Sequence, residues 1–197
     1  MRNIAVFYAT REGQTRRIAE YVAKALRSRG LQVEVLDVGA ALPDGLDVAR
    51  YASIVLAASI HMGKHERSMI GFVRAHRAAL ERLPTAFLSV SLSQAAVEDP
   101  KANPARKRRA AAEVAKTVER FARTTRFRPR RVQPVAGALL YRQYGVALRL
   151  LMRFISSVVG ASTDTSRDHE YTDWKALARF ADEMADPLVA AARPAQR

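Results

Sequence analysis

The chain contains no cysteine. That excludes disulfides, thiolate metal sites and cysteine nucleophiles, and it removes the usual sign of a secreted protein. No stretch approaches the ~20 uninterrupted apolar residues that span a bilayer. The opening "MRNIAVFYAT" has no small-residue cleavage site and reads as a strand, not a signal peptide. The expectation is a cytoplasmic protein. Neither G-x-G-x-x-G nor G-x-x-x-x-G-K-[ST] occurs, so dinucleotide-fold and P-loop readings lose ground. No internal repeat or low-complexity linker divides the 197 residues, a length that suits one domain with a substantial core. Acidic residues are few: 19 against 33 Lys and Arg, a formal charge of +14. The imbalance favours anionic partners such as phosphorylated cofactors, acidic lipids, carboxylated substrates or nucleic acid. Arginine outnumbers lysine and alanine is abundant, which also fits a genomic bias and weakens the charge as an argument.

What is present is an alternation. "RNIAVFYA" reads as a buried strand, followed by a helix over 14–29 with Ile18, Val22, Ala25 and Leu26 on one stripe. "LQVEVLDV" alternates as an outer strand does, and "ASIVLAASI" and "TAFLSVSL" read as further buried strands. Helical spacing covers 68–80 and 105–126. A fifth strand starts at Val132, and a last helix runs over 173–192. Strands alternating with helices imply an α/β fold with a parallel sheet covered on both faces. Five such strands suit the doubly wound flavodoxin-like order 2-1-3-4-5, with ligands at the carboxyl ends of the strands, between strands 1 and 3. Only residues 141–170 break the alternation.

At that switch point lies "TREGQT", Thr10, Arg11, Glu12, Gly13, Gln14 and Thr15. A helix N-terminus there suits a phosphate, with hydroxyls from Thr10 and Thr15 and close backbone approach at Gly13. A plain strand–helix turn with a threonine cap is the competing reading. The stretch resembles the T-x-T-G-x-T phosphate loop of flavodoxins, which cradles the phosphate of FMN. Glu12 stands where those proteins usually carry a hydroxyl, and it is expected to turn away from the anion toward backbone N–H groups or an arginine. The resemblance implies that the loops after strands 3 and 4 hold the flavin ring. These are 58–65, with Ser59, Ile60, His61, Met62 and Gly63, and 89–99, with Ser91, Leu92 and Ser93. Neither offers an aromatic to stack on the ring, only His61, Met62 and His65, so a more open flavin face is expected. Each histidine also reads as an exposed loop residue, and Gly63 as a turn glycine.

Read as a helix, 142–159 places Arg142, Arg149 and Arg153 within roughly 40° of one another, opposite Leu148, Leu151, Ile155 and Val158. That suits a helix in a membrane interface or over an apolar ligand, and also one packed on the sheet with its arginines in solvent. Its place after strand 5, on the cofactor's edge, favours the former.

The set "TREGQTRRIA", "AASIHMGKH", "AGALLYRQY" and "STDTSRDHEYTDW" closely resembles the flavodoxin-like protoporphyrinogen IX dehydrogenases, nearly end to end. The resemblance implies FMN as cofactor and oxidation of protoporphyrinogen IX to protoporphyrin IX in haem synthesis. Electrons would pass to a respiratory quinone, menaquinone or ubiquinone, at the inner face of the membrane. The substrate joins a large apolar macrocycle to two propionates, and Arg142, Arg149 and Arg153 are candidates to pair with these or with acidic lipid headgroups. His169 is a candidate proton acceptor. Tyr141, Tyr144 and Tyr171 either line the substrate region or pack. Trp174 is expected to pack, and Thr172 and Asp173 to cap the last helix. No metal site is expected.

Two alternatives remain. One is a generic FMN quinone reductase or electron-transfer flavodoxin, though flavodoxins tend to be acidic and the basic insertion is then unexplained. The other is nucleic-acid binding by 101–131, where twelve Lys or Arg stand against two Glu. Those cations are spread around the helix with few aromatics between them, so a solvated face or a contact with acidic lipid is preferred.

Overall fold

The structure, a computed structural model, describes residues 3–139 and 169–190. The helix expected over 142–159, with Arg142, Arg149 and Arg153, lies outside the described residues, as do Tyr141 and Tyr144.

Five long strands form a parallel sheet: β1 (Asn3–Ala9), β2 (Gln32–Asp37), β3 (Ser53–His61), β5 (Thr85–Ser91) and β6 (Arg131–Ala136). Their order is β2-β1-β3-β5-β6, with the two-residue β4 (Lys64–His65) folded back antiparallel on β3. Counting the long strands alone, this is the expected 2-1-3-4-5.

Period-2 alternation divides the core. Ile4, Val6, Val55, Ala57 and Leu88 face one side, against Ile18, Val22 and Leu26 of α1 (Gln14–Ser28) and Leu177 and Phe180 of the C-terminal helix, Trp174–Ala190. Ala5, Phe7, Ile54, Leu56 and Phe87 face the other side. There they meet Met69, Phe72 and Val73 of α2 (Arg67–Arg82) and Phe121 of the long basic helix. Strands buried on both faces read as nearly continuous apolar runs, which is why their boundaries follow from sequence.

Two expectations need correction. The stretch after β5 is not a loop: α3 (Leu92–Glu98) starts at once, and its N-cap Ser91 accepts a bond from the Gln94 N–H at 3.2 Å. The strand expected from Val132 is also two pieces. β6 ends at Ala136, the Gly137 N–H donates to Ser91 O at 3.1 Å, and β7 (Ala138–Leu139) pairs antiparallel with β8 (His169–Glu170).

The basic helix is α4 (Pro104–Thr125), capped by Asn103 and buried along Val114, Thr117, Phe121 and Ala122. Its cations are partly balanced locally: Arg128 makes two bonds to Glu119 at 2.8 and 2.9 Å, and Lys116 pairs with Glu113 at 3.8 Å. The C-terminal helix is α5 (Trp174–Ala190), capped by Asp173, whose Oδ1 accepts from the Ala176 N–H at 2.9 Å. Trp174 packs as expected, its ring 4.9 Å from that of Tyr21.

Candidate functional site

A cleft of about 520 Å3, counting the space open to solvent, lies at the carboxyl ends of β1, β3 and β5. Its walls come from Thr10, Arg11, Glu12, Gln14 and Thr15, from Ser59, Ile60, His61 and Glu66, from Val90, Ser91 and Leu92, and from Gly137 and Ala138. This is the crevice between strands 1 and 3 where open α/β sheets bind ligands.

The loop after β1 is set by its own hydrogen bonds. The Gly13 N–H donates to Thr10 Oγ1 at 3.0 Å, and Gly13 takes φ +89°, a left-handed conformation that glycine adopts without strain. Gly13 is itself the N-cap of α1, and no side chain caps the helix. The threonine-cap reading therefore fails: Thr10 closes the loop, and Thr15 lies inside the first turn. Thr15 Oγ1 is buried, in a residue 1% exposed, and has no hydrogen-bond partner. Ser59 Oγ, on the neighbouring strand, is buried and unpartnered as well. An unsatisfied hydroxyl in the first turn of a helix with no side-chain cap suits an oxygen of an anion, and Ser59 adds a second unsatisfied hydroxyl to the cleft wall. Glu12 contributes to the wall, and the adjacent Arg11 reaches Glu66 at 3.4 Å.

The Gln14 side chain is a strut. Its Nε2 donates to Glu170 Oε1 and to Thr172 Oγ1, both at 2.9 Å, and its Oε1 accepts from Arg17 Nη1 at 3.0 Å. Thr172 Oγ1 in turn donates to Ala136 O at 2.8 Å. Asp173 caps the last helix as expected, while Thr172 belongs to this brace and not to the cap. Through it the β7–β8 ribbon is fastened to the loop after β1.

Across the cleft, β3 turns into β4 through Met62 and Gly63, both at positive φ, and Arg120 of α4 holds the turn by donating to Gly63 O at 2.7 Å. Met62 is 88% exposed at the tip. His65 is not an exposed loop residue: it is 3% exposed, its Nε2 lies 2.9 Å from Ser89 Oγ, and its ring packs on Phe87 and Phe121. Burial lowers its pKa from 6.5 to about 4, so the ring is neutral near pH 7. His169 stacks on Tyr171 with ring centroids 6.4 Å apart and is not among the residues lining the cleft. Gly13, Met62, Gly63 and Ser93 are also outside the lining set, whereas Glu66, Val90, Gly137 and Ala138 belong to it. Among the described residues no cluster of His, Asp or Glu is arranged to hold a metal.

The family model described as "Flavodoxin domain" matches residues 5–166. A protoporphyrinogen IX dehydrogenase [quinone] from Escherichia coli (strain K12) is 33% identical over 180 residues, spanning 91% of this chain and 93% of that protein. The chain belongs to the flavodoxin-like protoporphyrinogen IX dehydrogenase family. A relative of the same name from Leishmania major is 32% identical over 193 residues, 96% of this chain and 78% of that one. An archaeal flavodoxin of known structure superimposes with a TM-score of 0.50 at 13% identity, over 94% of this chain and 98% of that one; this likeness speaks to the fold. Membership in the dehydrogenase family makes the protein an oxidoreductase of the flavoprotein class. Gly137 and Ala138, where the chain enters the β7–β8 ribbon, line one side of the candidate cofactor cleft.

Proposed function

We propose that the protein oxidises protoporphyrinogen IX to protoporphyrin IX with FMN as its flavin and passes the electrons to menaquinone or ubiquinone. The observation that carries this reading is the pair of buried, unpartnered hydroxyls of Thr15 and Ser59 in the cleft, in a chain whose relatives bear that enzyme's name.

Thr15 Oγ1 and the N–H groups opening α1 would hold the phosphate, with the loop kept in shape by Thr10 and Gly13. Ser59, Ile60 and His61 on one side and Ser91 and Leu92 on the other would flank the ring. FMN, when bound, supplies the two-electron acceptor, and the protein supplies orientation and exclusion of side reactions. Among the described residues lining the cleft none is tyrosine, tryptophan or phenylalanine. Arg142, Arg149 and Arg153 would pair with substrate propionates or acidic headgroups. With no described helix long and apolar enough to cross a membrane, we place the protein as a peripheral one at the inner face, drawn there by its positive charge.

Anaerobic mixing tests the reading. FMN-loaded protein with protoporphyrinogen IX should bleach the flavin in step with porphyrin appearance. Bound flavin that stays unbleached would instead support a different quinone reductase. A second expectation concerns the phosphate. Thr15→Val keeps the side chain's shape but removes its hydroxyl, so FMN affinity should fall about tenfold while the apo protein gains stability from losing an unsatisfied group. Isothermal titration and apo thermal melts read both; unchanged affinity would remove Thr15 from the phosphate site.

A further inference from the structure

Glu66 stands at the start of α2, yet it does not behave as a helix cap: no side-chain bond returns to the helix. Glu66 lines the cleft, with its side chain 13% exposed. Oε2 reaches Arg11 of the loop after β1 at 3.4 Å, while Oε1 is buried with no partner. The Glu66 N–H donates to Ser59 O at 3.2 Å, so its backbone is pinned to the strand whose own hydroxyl is unsatisfied. A buried carboxylate oxygen without a donor is costly, and the arrangement is explained if the ligand brings one.

The chemistry of that donor is restricted. A carboxylate only accepts, and a phosphate monoester at neutral pH offers it nothing but oxygens and repulsion. Given the FMN reading, on which this inference rests, the ligand's donors are the ribityl hydroxyls and the ring N3–H. The contact with Arg11 puts Glu66 on the phosphate-loop side of the cleft, where the chain joining phosphate to ring must pass. We propose that Glu66 is a cofactor-binding residue that accepts a hydrogen bond from the hydroxyls of the flavin's ribityl chain. Arg11 holds one carboxylate oxygen, and the other is presented to the sugar alcohol. The same carboxylate disfavours a second phosphate or other anion in the middle of the cleft.

Three flavins and two variants test this by fluorescence titration of the full-length apo protein. FMN carries phosphate and ribityl chain, riboflavin lacks the phosphate, and lumiflavin lacks both. Glu66→Ala should weaken FMN and riboflavin alike by about tenfold, the effect of losing a charge-assisted bond, and leave lumiflavin within about twofold of wild type. Glu66→Gln, which keeps the shape and one acceptor oxygen, should show the same pattern at smaller size, and it carries the test if the alanine variant folds poorly by circular dichroism. An equal loss with lumiflavin would overturn the proposal in favour of the ring or of general damage. A loss confined to FMN would overturn it in favour of an action on the phosphate through Arg11, and no loss would overturn it outright. Wild-type protein that binds none of the three flavins would overturn the FMN reading itself, a result separate from any pattern among the variants.

Discussion

Between pH 6.5 and pH 4 the folded protein is expected to lose about 3 kcal/mol of stability through His65 alone. The imidazole is packed between Phe87 and Phe121 with ring centroids at 5.0 and 5.1 Å, and its Nε2 contacts Ser89 Oγ. Burial is the cause of its lowered pKa. In this range the unfolded chain takes up a proton that the folded one refuses, so stability rises with pH. The contribution is fully present above 6.5 and disappears as pH falls toward 4. Near pH 5 the loss is already about 2 kcal/mol. Urea titrations of wild type and His65→Gln at pH 7.5 and pH 5 measure it. The variant should be the weaker at pH 7.5, having lost ring packing, and the gap should narrow by about 2 kcal/mol at pH 5. A gap of constant size would show that His65 does not carry the acid sensitivity. The result bears on the site because β4, which holds His65, pairs with the strand end that carries Ser59, Ile60 and His61. Protonating the ring would therefore loosen one wall of the cleft.

His65 also marks where sequence reading stopped. A histidine in a Gly- and Lys-containing loop looks exposed. Its burial depends on Phe121, which comes from a helix more than fifty residues later, and no local pattern carries that. The strands were legible for the opposite reason. Each is a local apolar run, and the alternation of strand and helix limits how they can be ordered. The loop after β1 was legible because Thr10, Gly13 and Thr15 lie within six consecutive residues. Gln14 was legible as a member of that loop but not as a strut, since its partners Glu170 and Thr172 are 156 and 158 residues away. The α3 helix did leave a local sign: Ser91-Leu92-Ser93-Gln94 has the S-x-x-Q spacing of a capping box, and Ser91 caps the helix as that spacing implies. The apolar run ending in β5 masked it. Gly137 marks another missed break. Its N–H donates to Ser91 O at 3.1 Å where the chain leaves the sheet, and the residue lines the cleft beside Val90.

Deleting residues 143–160 should leave FMN affinity within about threefold of wild type and reduce porphyrinogen oxidation by at least about 100-fold. The two expectations separate because of where the segment is tied. Ala138 pairs with Glu170 and Leu139 with His169, so the residues that remain join adjacent antiparallel strands, a closure of small entropic cost. The brace from Gln14 to Glu170 and Thr172, and from Thr172 to Ala136, lies wholly outside the deletion. The loop after β1 therefore keeps its shape, and with it the candidate phosphate site. What goes is Arg149 and Arg153 of the cationic stripe expected from the sequence, Arg142 remaining, together with the apolar residues between them. On the proposed function, a large macrocycle bearing propionates would need both kinds of contact to be positioned for oxidation, and loss of positioning alone is worth about 100-fold. Flavin fluorescence titration and porphyrin appearance, measured on the same preparation, read the two arms. Reduction by dithionite serves as the control that bound flavin still takes electrons. Should FMN binding fall with the deletion, the segment belongs to the cofactor site, and the ribbon at β7–β8 is then its hinge instead of its boundary.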